Sequence, residues 1–290
     1  MDSTVNNTLP SKQLNEIIKV QSQVNSELLQ RYNHPCRIEF GCFLIVVDGE
    51  ATLRINLSKY VVSSHSFVTI LPGCIIYITN RSDDFRCEVI AFSPNFTQDS
   101  EVIRNIFTRL ETIMTQPIIK LDNDEKEWIR EFYVLCLKSY NRGVTTYSTA
   151  YIAVLTNLLE TLFCVISAIY DRYRSITPSK VLTRKEEIVH NYVQLVLKHY
   201  DKERSVGFYA DKLCITSTYL NALVKEVRGE TASQIITKAV ILYAKSRLKD
   251  TTDTVQQISD QLNFPNSSFF AKYFKREVGI SPSEYRNLEL

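Results

Sequence analysis

The chain has 290 residues, enough for two domains of ordinary size, and 44% of them are hydrophobic and 23% charged, as in a soluble globular protein. With 7 glycines and 8 prolines, it is neither fibrous nor of low complexity. The net charge of +2 says little about partners, although the chain is mildly basic from Thr183 onward. The seven scattered cysteines include no CxxC pair, which argues against structural zinc and a disulfide framework and favours reduced thiols in the cytoplasm.

Residues from about 37 to 96 are predicted to form strands. Short runs rich in β-branched and aromatic residues lie between turn signals such as Asp48-Gly49 and Pro72-Gly73. Five strands in some sixty residues predict an antiparallel sandwich or a small barrel. The predicted strands are 41–47, 51–57, 66–71, 74–79 and 87–93.

This β region lacks the signs of an enzyme centre. A metal-dependent enzyme would need clustered histidine and carboxylate ligands, and only His34 and His65 occur there, far apart in sequence. No glycine-rich loop suited to cradling a phosphate is present. We therefore predict no catalytic residue, no metal site and no cofactor.

The pattern beyond Asp99 is helical, with helices predicted over 124–140 and 146–173. The second contains an apolar run, 151–170, that is long enough to span a membrane. Asn157 and Glu160 lie in its middle, and a central carboxylate costs about 3 kcal/mol on insertion, so we predict no membrane span. The apolar residues of segment 144–173 either form a dimer interface or pack against the β domain of the same chain. These are Ile152, Leu155, Leu158, Leu159, Leu162, Val165, Ile166 and Ile169.

The last hundred residues repeat themselves at a separation of about fifty. Apolar positions with the spacing i, i+3, i+4, i+7 begin at Val206 and, 49 residues later, at Val255. After a turn with one extra residue in the second copy, the shift becomes 50. Ser205 and Thr254 are predicted N-caps, and Gly229 and Gly279 are predicted helix ends. The chain therefore contains an internal duplication.

Each copy is typical of a helix-turn-helix unit. Once the apolar faces point inward, the second helix of each copy presents small polar and basic residues outward. Such groups can approach base edges and contact phosphates. A solvated face on a helical bundle would explain one copy, but two matched copies favour DNA binding. The outward positions are Thr218, Asn221, Ala222 and Lys225 in the first copy, and Ser268, Ala271, Lys272 and Lys275 in the second.

Two segments carry a family resemblance that covers about 184–286. FPNSSFFAKYFKREVGISPSEYR (264–286) resembles the signature of the AraC/XylS family of bacterial transcription regulators, and YADKLCITSTYLNALVKEVRGETASQII (209–236) resembles that family's first helix-turn-helix. The resemblance implies seven helices, with a long central helix at about 232–249 holding both units. It also implies recognition helices that enter successive major grooves of double-stranded DNA, about 34 Å apart.

Carried over by position, the resemblance assigns roles to nine residues. Those expected at base edges are Ser217, Thr218, Asn221, Ser267, Ser268 and Lys272. Those expected at the DNA backbone are Lys225, Lys275 and Arg276. The chain departs from the family in the second turn, where Asn263 replaces the usual glycine, and in a first recognition face that has no arginine or tryptophan. Asparagine tolerates left-handed geometry, so we expect the turn to survive.

We expect an α+β chain in which an antiparallel β sandwich precedes an all-α domain with two helix-turn-helix units. The order of elements resembles the family's layout of a cupin-like sensing or dimerising domain ahead of the DNA reader. The predicted parts are 1–120 (sensing), 121–175 (helical, dimerising), 176–182 (linker, broken at Pro178) and 183–290 (DNA-binding).

The predicted function is that of a non-enzymatic, cytoplasmic regulator of transcription that binds double-stranded DNA, with no membrane partner. Further partners are a second copy of the chain, a small-molecule effector in a pocket inside the sandwich and, through the family, RNA polymerase. The alternatives are a cupin-type enzyme localised by a DNA-binding domain, and a constitutive DNA-binding protein whose front half only dimerises.

Overall fold

The computed structural model describes residues 18–21, 29–93, 116–146, 149–176 and 183–288. Strands come first in the chain and long helices follow, which confirms the predicted α+β class. The strands are β1 (Ile18–Gln21), β2 (Cys36–Arg37), β3 (Gly41–Asp48), β4 (Glu50–Ile55), β5 (Ser58–Ser63), β6 (Ser66–Ile70), β7 (Ile75–Arg81), β8 (Arg86–Phe92) and β9 (Ile118–Lys120). The helices are α1 (Asn123–Thr146), α2 (Thr149–Ile176), α3 (Arg184–His199), α4 (Val206–Lys212), α5 (Ser217–Arg228), α6 (Ala232–Asp250), α7 (Val255–Gln261), α8 (Ser267–Val278) and α9 (Pro282–Asn287).

The strands form two antiparallel sheets that pack as a sandwich. The larger sheet has the order β1-β8-β3-β6-β9, and the smaller has the order β2-β7-β4-β5. Side chains such as Val46 and Val68 from the first, and Leu53 and Val62 from the second, share one core between the sheets. The predicted sandwich is confirmed, and all five predicted strands are present in it. Strands β1, β2, β5 and β9 were not predicted.

The larger sheet is covered on its other face by α1 and α2. Phe43 on β3 and Phe92 on β8 belong to a core that includes the buried side of both helices. The ring of Phe163 on α2 lies 4.9 Å from that of Phe43 and 5.0 Å from that of Phe92, centroid to centroid. Because both faces of this sheet are buried, β6 is buried along its whole length.

The apolar residues of α2 pack mainly against the β domain of the same chain. Leu155, Leu159 and Leu162 are at most 1% exposed, and the Tyr170 hydroxyl lies 3.3 Å from that of Thr69. Residues Ala153–Tyr173 meet the length and composition of a membrane span, but their apolar side is part of this core. The sequence left open whether these apolar residues form a dimer interface or pack within the chain, and packing within the chain accounts for them. The side chain of Ile152 is outside the part of the chain that the structure describes.

The smaller sheet contacts the C-terminal helices through a hairpin tip. Asn56 and Leu57 form the two-residue turn between β4 and β5, which ends the predicted strand 51–57 at Ile55. Asn56 has φ +51°, and its side-chain oxygen accepts a hydrogen bond from the Ile75 amide at 2.9 Å. Leu57, Ile75 and Tyr77 then pack against the helical core. The β domain and the helical domain thus share a contact surface.

Seven helices follow residue 183 within the described chain, as the family resemblance implies, and the central α6 matches its expected bounds. Helix α2 ends at Ile176 and α3 begins at Arg184. The rest of the predicted linker, 177–182, lies outside the described residues, so the domain boundaries stay a prediction.

Candidate DNA-binding surface

Helices α4 and α5 have counterparts in α7 and α8. Helices α4 and α7 both span seven residues and are offset by 49, whereas α5 and α8 both span twelve and are offset by 50. The extra residue lies in the second turn, where the sequence placed it. The duplication predicted from apolar spacing is therefore a duplication of structure.

Matched caps begin and end the two recognition helices, α5 and α8. The side chains of Thr216 and Asn266 accept hydrogen bonds from the amides of the third residue of each helix. At the other end Gly229 and Gly279 adopt φ +73° and +93°. A side chain at either glycine would be strained there, so the two helices end where glycine first occurs.

Both turns place a residue other than glycine in the left-handed region. Asn263 has φ +52°, and Cys214, at the matching position of the first turn, has φ +54°. From the family resemblance, only the second turn was expected to have another residue in place of the usual glycine. The structure shows the same geometry in the first, where cysteine lacks the local hydrogen bonding that eases this conformation for asparagine.

The inward faces of α5 and α8 are apolar, as predicted, and their outward faces are mainly polar. Leu220, Leu223 and Val224 in α5, and Phe270 and Phe274 in α8, are buried. The predicted contact residues differ in exposure. Exposed are Thr218, Lys225, Ser268, Lys272, Lys275 and Arg276, and half-buried are Ser217, Asn221 and Ser267.

Asn221 has a structural partner that its predicted role did not include. Its side-chain oxygen accepts a hydrogen bond from the backbone amide of Ala232 at 3.1 Å. Ala232 is the first residue of α6, where amides lack partners within the helix. The side chain therefore ties the first recognition helix to the central helix. The second copy has Ala271 at the matching position and lacks this tie.

Arg276 is also engaged within its own helix. Its Nε donates to Glu277 at 2.7 Å, and its guanidinium lies 5.0 Å from the centre of the Tyr273 ring. The side chain remains 67% exposed, so a phosphate could compete with the exposed glutamate for it.

Two exposed aromatic residues were missed by the sequence analysis. Tyr219 and Phe269 occupy matching positions in the first turns of α5 and α8, and they are 47% and 61% exposed. An exposed ring beside small hydroxyl residues can contact a thymine methyl group in the major groove. The duplication could have identified them, since both copies have an aromatic residue at this position, outside the i, i+3, i+4, i+7 spacing of the apolar face.

The central helix holds the two units together. Eleven of its nineteen residues are buried, including Ile235, Val240 and Ala244, because helices pack around most of its circumference. The hydroxyl of Tyr192 on α3 donates to the carbonyl of Ala232 at its start, at 2.7 Å. Burial lowers the pKa of Lys245, whose ammonium lies 5.5 Å from the centre of the Tyr285 ring.

Two cavities are relevant to ligand binding. The interior of the sandwich, where the sequence analysis placed an effector pocket, has a cavity of about 120 Å³ with mainly apolar walls. A larger cavity of about 910 Å³ lies between the smaller sheet and helices α3 and α6. Its lining includes Arg37, Lys198 and Arg228 and no carboxylate.

The C-terminal part of the chain is similar to known helix-turn-helix proteins. Residues 209–288 match the model of the helix-turn-helix domain. The transcriptional activator RhaR of Escherichia coli is 21% identical over 141 residues, which cover 49% of this chain and 50% of RhaR. The uncharacterized regulator YisR of Bacillus subtilis is 25% identical over 109 residues, 38% of each chain. The chain thus spans about half the length of RhaR, or less of other curated relatives.

Two solved structures have related shapes. ToxT from Vibrio cholerae has a TM-score of 0.44 at 16% identity and covers 93% of this chain and 98% of its own. The DNA-binding domain of AdpA, solved with a target DNA, has a TM-score of 0.32 at 19% identity and covers 34% of this chain and 88% of its own. At these TM-scores neither likeness supports a functional inference. Residues 209–288 thus match a helix-turn-helix domain, and its duplication and signature segments resemble those of the AraC/XylS family.

Proposed function

We propose that the chain is a cytoplasmic, sequence-specific regulator of transcription that binds double-stranded DNA through α5 and α8. The observation that carries the proposal is the pair of recognition helices, matched in length, caps and outward face and exposed in the full chain. Ser217, Thr218, Asn221, Ser267, Ser268 and Lys272 would meet base edges, and Lys225, Lys275 and Arg276 the phosphates. Catalysis is no part of this proposal.

DNA binding to operators selected from genomic fragments tests it. Affinity should fall steeply as salt rises, because phosphate contacts release counterions. Lys272→Ala should weaken cognate binding by about 1–3 kcal/mol and random DNA by less, if Lys272 reads a base. The control is Lys138→Ala, an exposed lysine of α1. Equal losses on both DNAs would make Lys272 a phosphate contact, and binding that ignores both salt and sequence would contradict the proposal.

We further propose that a small anionic amphiphile binds the larger cavity and modulates DNA binding. Arg37, Lys198 and Arg228 line the cavity, and no carboxylate is among its lining residues, which favours an anion. Arg37 and Arg228 also pair with Glu39 and Glu230 at 3.5 Å and 3.6 Å, so Lys198 is the cation for which no pairing carboxylate is described. Apolar residues such as Leu57, Val193 and Leu242 favour a hydrocarbon body. A ligand there would contact both the β domain and the helical domain.

A panel of organic acids in a thermal-shift assay tests this step. A ligand of the cavity should raise the melting temperature of the full chain, and Arg228→Ala should reduce the shift. A shift that survives in Arg228→Ala and in Lys198→Ala would place the ligand elsewhere. No shift with any acid would favour a constitutive regulator.

A second copy of the chain is the proposed partner of the exposed face of α2. Exposed residues recur there at alternating intervals of three and four, the spacing of a helix that pairs with another helix. The side chains are small, which allows close approach, and Val154 is 43% exposed. The stripe consists of Ala150, Val154, Asn157, Thr161, Cys164, Ala168 and Asp171.

Cys164 gives this dimer a direct test. In a parallel two-fold pair the two Cys164 side chains would face each other across the interface, close enough for a disulfide. Mild oxidation should then yield a covalent dimer in the wild type and in Cys214→Ser, which removes the other exposed thiol, but none in Cys164→Ser. A chain that sediments as a monomer at tens of micromolar would contradict the proposal.

A further inference from the structure

Three potential metal ligands meet where the β domain contacts the central helix. His34 and Cys36 come from β2 and the residues before it, and Asp250 is the last residue of α6. One ligand atom from each lies within 4.8 Å of the others, and His34 Nε2 is 3.2 Å from the Asp250 carboxylate. Because His34 and Asp250 are separated by 216 positions in sequence, no spacing pattern could have revealed the cluster.

The electrostatics of this place favour a cation. A carboxylate at the C-terminus of a 19-residue helix lies at the negative end of the helix dipole, where an anion is unfavourable and a cation is stabilised. The Asp250 carboxylate has the His34 ring beside it and the Arg37 backbone amide at 3.3 Å. A positive ion would offset both the carboxylate and the helix end.

The thiol of Cys36 is held in place by the backbone. It is buried and donates to the carbonyl of Arg31 at 2.9 Å and, at 3.3 Å, to that of His34. The sulfur is buried and lies within 4.8 Å of the Asp250 carboxylate, which is partly open to solvent.

We propose that His34, Cys36 and Asp250 bind one Zn²⁺ ion at the junction of the two domains. One nitrogen, one sulfur and one oxygen ligand form a set that suits zinc, whereas Mg²⁺ and Ca²⁺ prefer oxygen alone. The imidazole nitrogen, the thiolate and the carboxylate take three tetrahedral positions and water takes the fourth. The thiol proton passes to solvent as the zinc–sulfur bond forms. The ion then ties β2 to the end of α6.

This site differs from the metal centre of a cupin-type enzyme. Its third ligand belongs to the DNA-binding domain, and its position is between the domains instead of inside the sandwich. Zinc there would strengthen the contact between the β domain and α6, the helix that holds both helix-turn-helix units.

Cobalt substitution in the full-length protein tests the site, because Co²⁺ bound to a thiolate gives a charge-transfer band. The wild type should bind one Co²⁺ with this band, and Zn²⁺ should displace it. Cys36→Ser should lose the band, and His34→Gln and Asp250→Asn should weaken Co²⁺ binding about tenfold or more. Cys164→Ser, which removes an exposed thiol on α2, should behave as the wild type.

Far-UV circular dichroism of each variant separates loss of a ligand from loss of the fold, and the exposed Asp250 makes Asp250→Asn the safest of them. Absence of the band in the wild type would overturn the proposal. So would an unchanged band and affinity in Asp250→Asn, since another set of ligands would then hold the metal. As a second readout, Zn²⁺ should raise the melting temperature of the wild type by more than that of Asp250→Asn at the same zinc concentration. Neither measurement depends on DNA binding.

Discussion

Arg204 reaches from the start of the first helix-turn-helix unit to the turn of the second, where its guanidinium donates a hydrogen bond to the carbonyl of Asn263 at 3.2 Å. It also donates to the carbonyl of Leu262 and lies 3.9 Å from the centre of the Phe264 ring. The side-chain amide of Asn263 in turn donates a hydrogen bond to the carbonyl of Lys202 at 3.4 Å. The two units therefore hold each other as well as the central helix. Burial lowers the pKa of Arg204, so its charge is tolerated only because these carbonyls accept it.

Replacing Arg204 should loosen this link. Arg204→Lys should cost about 1–2 kcal/mol, since one ammonium cannot donate to two carbonyls in a fixed fork and also stack on the phenylalanine ring. The thermal midpoint of the C-terminal domain should fall. Lys202→Ala is the control, because its exposed side chain can be removed while the backbone carbonyl that Asn263 contacts remains. A midpoint equal to that of the control would show that the link contributes nothing.

The first turn should be easier to stabilise than its sequence suggests. Cys214 is exposed and has φ +54°, so it contributes no buried surface but carries the strain of left-handed geometry. Cys214→Gly, and to a lesser degree Cys214→Asn, should raise stability by about 1 kcal/mol. Cys214→Ser removes the thiol but keeps the strain, and it should leave the melting temperature unchanged. An equal gain in the serine variant would trace the effect to the thiol.

The C-terminal domain could be predicted in detail because its signals are local. Caps, apolar spacing and helix-ending glycines act within one turn of helix, and the copy at 49 to 50 residues repeats them. Strands β3, β4, β6, β7 and β8 followed from their β-branched and aromatic runs. Strand β5 lies at the edge of the smaller sheet, and its solvent-facing side carries both a lysine, Lys59, and a valine, Val61. It was missed because its sequence therefore does not alternate polar and apolar residues, although its burial does.

The features that the sequence could not predict are contacts between residues of different helices and strands. The pattern of α2 showed more apolar residues than one face requires, but only the fold shows that the larger sheet covers them. The hydrogen-bond partner of Asn221 is eleven residues away in the next helix. The sequence around Asn221 does not show whether its side chain faces solvent or bonds to that helix. The junction of His34 and Cys36 with Asp250 has no sequence signal at all.

Asn221 can be tested for both of its roles. Asn221→Ala removes the acceptor for the Ala232 amide and should cost about 1 kcal/mol of stability. Asn221→Asp keeps an acceptor at the start of α6 and should hold the melting temperature near that of the wild type. If the amide reads a base, the aspartate variant should still lose affinity for the selected operator. Equal changes on operator and random DNA, compared at several salt concentrations, would instead leave Asn221 with the structural role alone.

The Arg247–Asp253 pair gives the domain a dependence on acid. Arg247 donates to the Asp253 carboxylate at 3.1 Å and 2.5 Å, and Gln261 donates at 3.0 Å. The hydrogen bond from Arg247, with that from Gln261, lowers the pKa of Asp253. A carboxyl whose pKa is lower in the folded state stabilises the fold above its unfolded pKa, about 3.9, and this gain is lost as the pH falls through the folded pKa.

Asp253→Asn should therefore be less stable than the wild type at pH 7 by about 1 kcal/mol, a small value because the pair is partly exposed. The gap should narrow below about pH 4, where the wild-type carboxyl takes up its proton. Thermal midpoints of both proteins between pH 7 and pH 3 measure it, with Asp211→Asn as an exposed control on α4. A gap that stays constant over this range would mean that hydrogen-bond geometry, and not the charge of Asp253, holds the turn between α6 and α7.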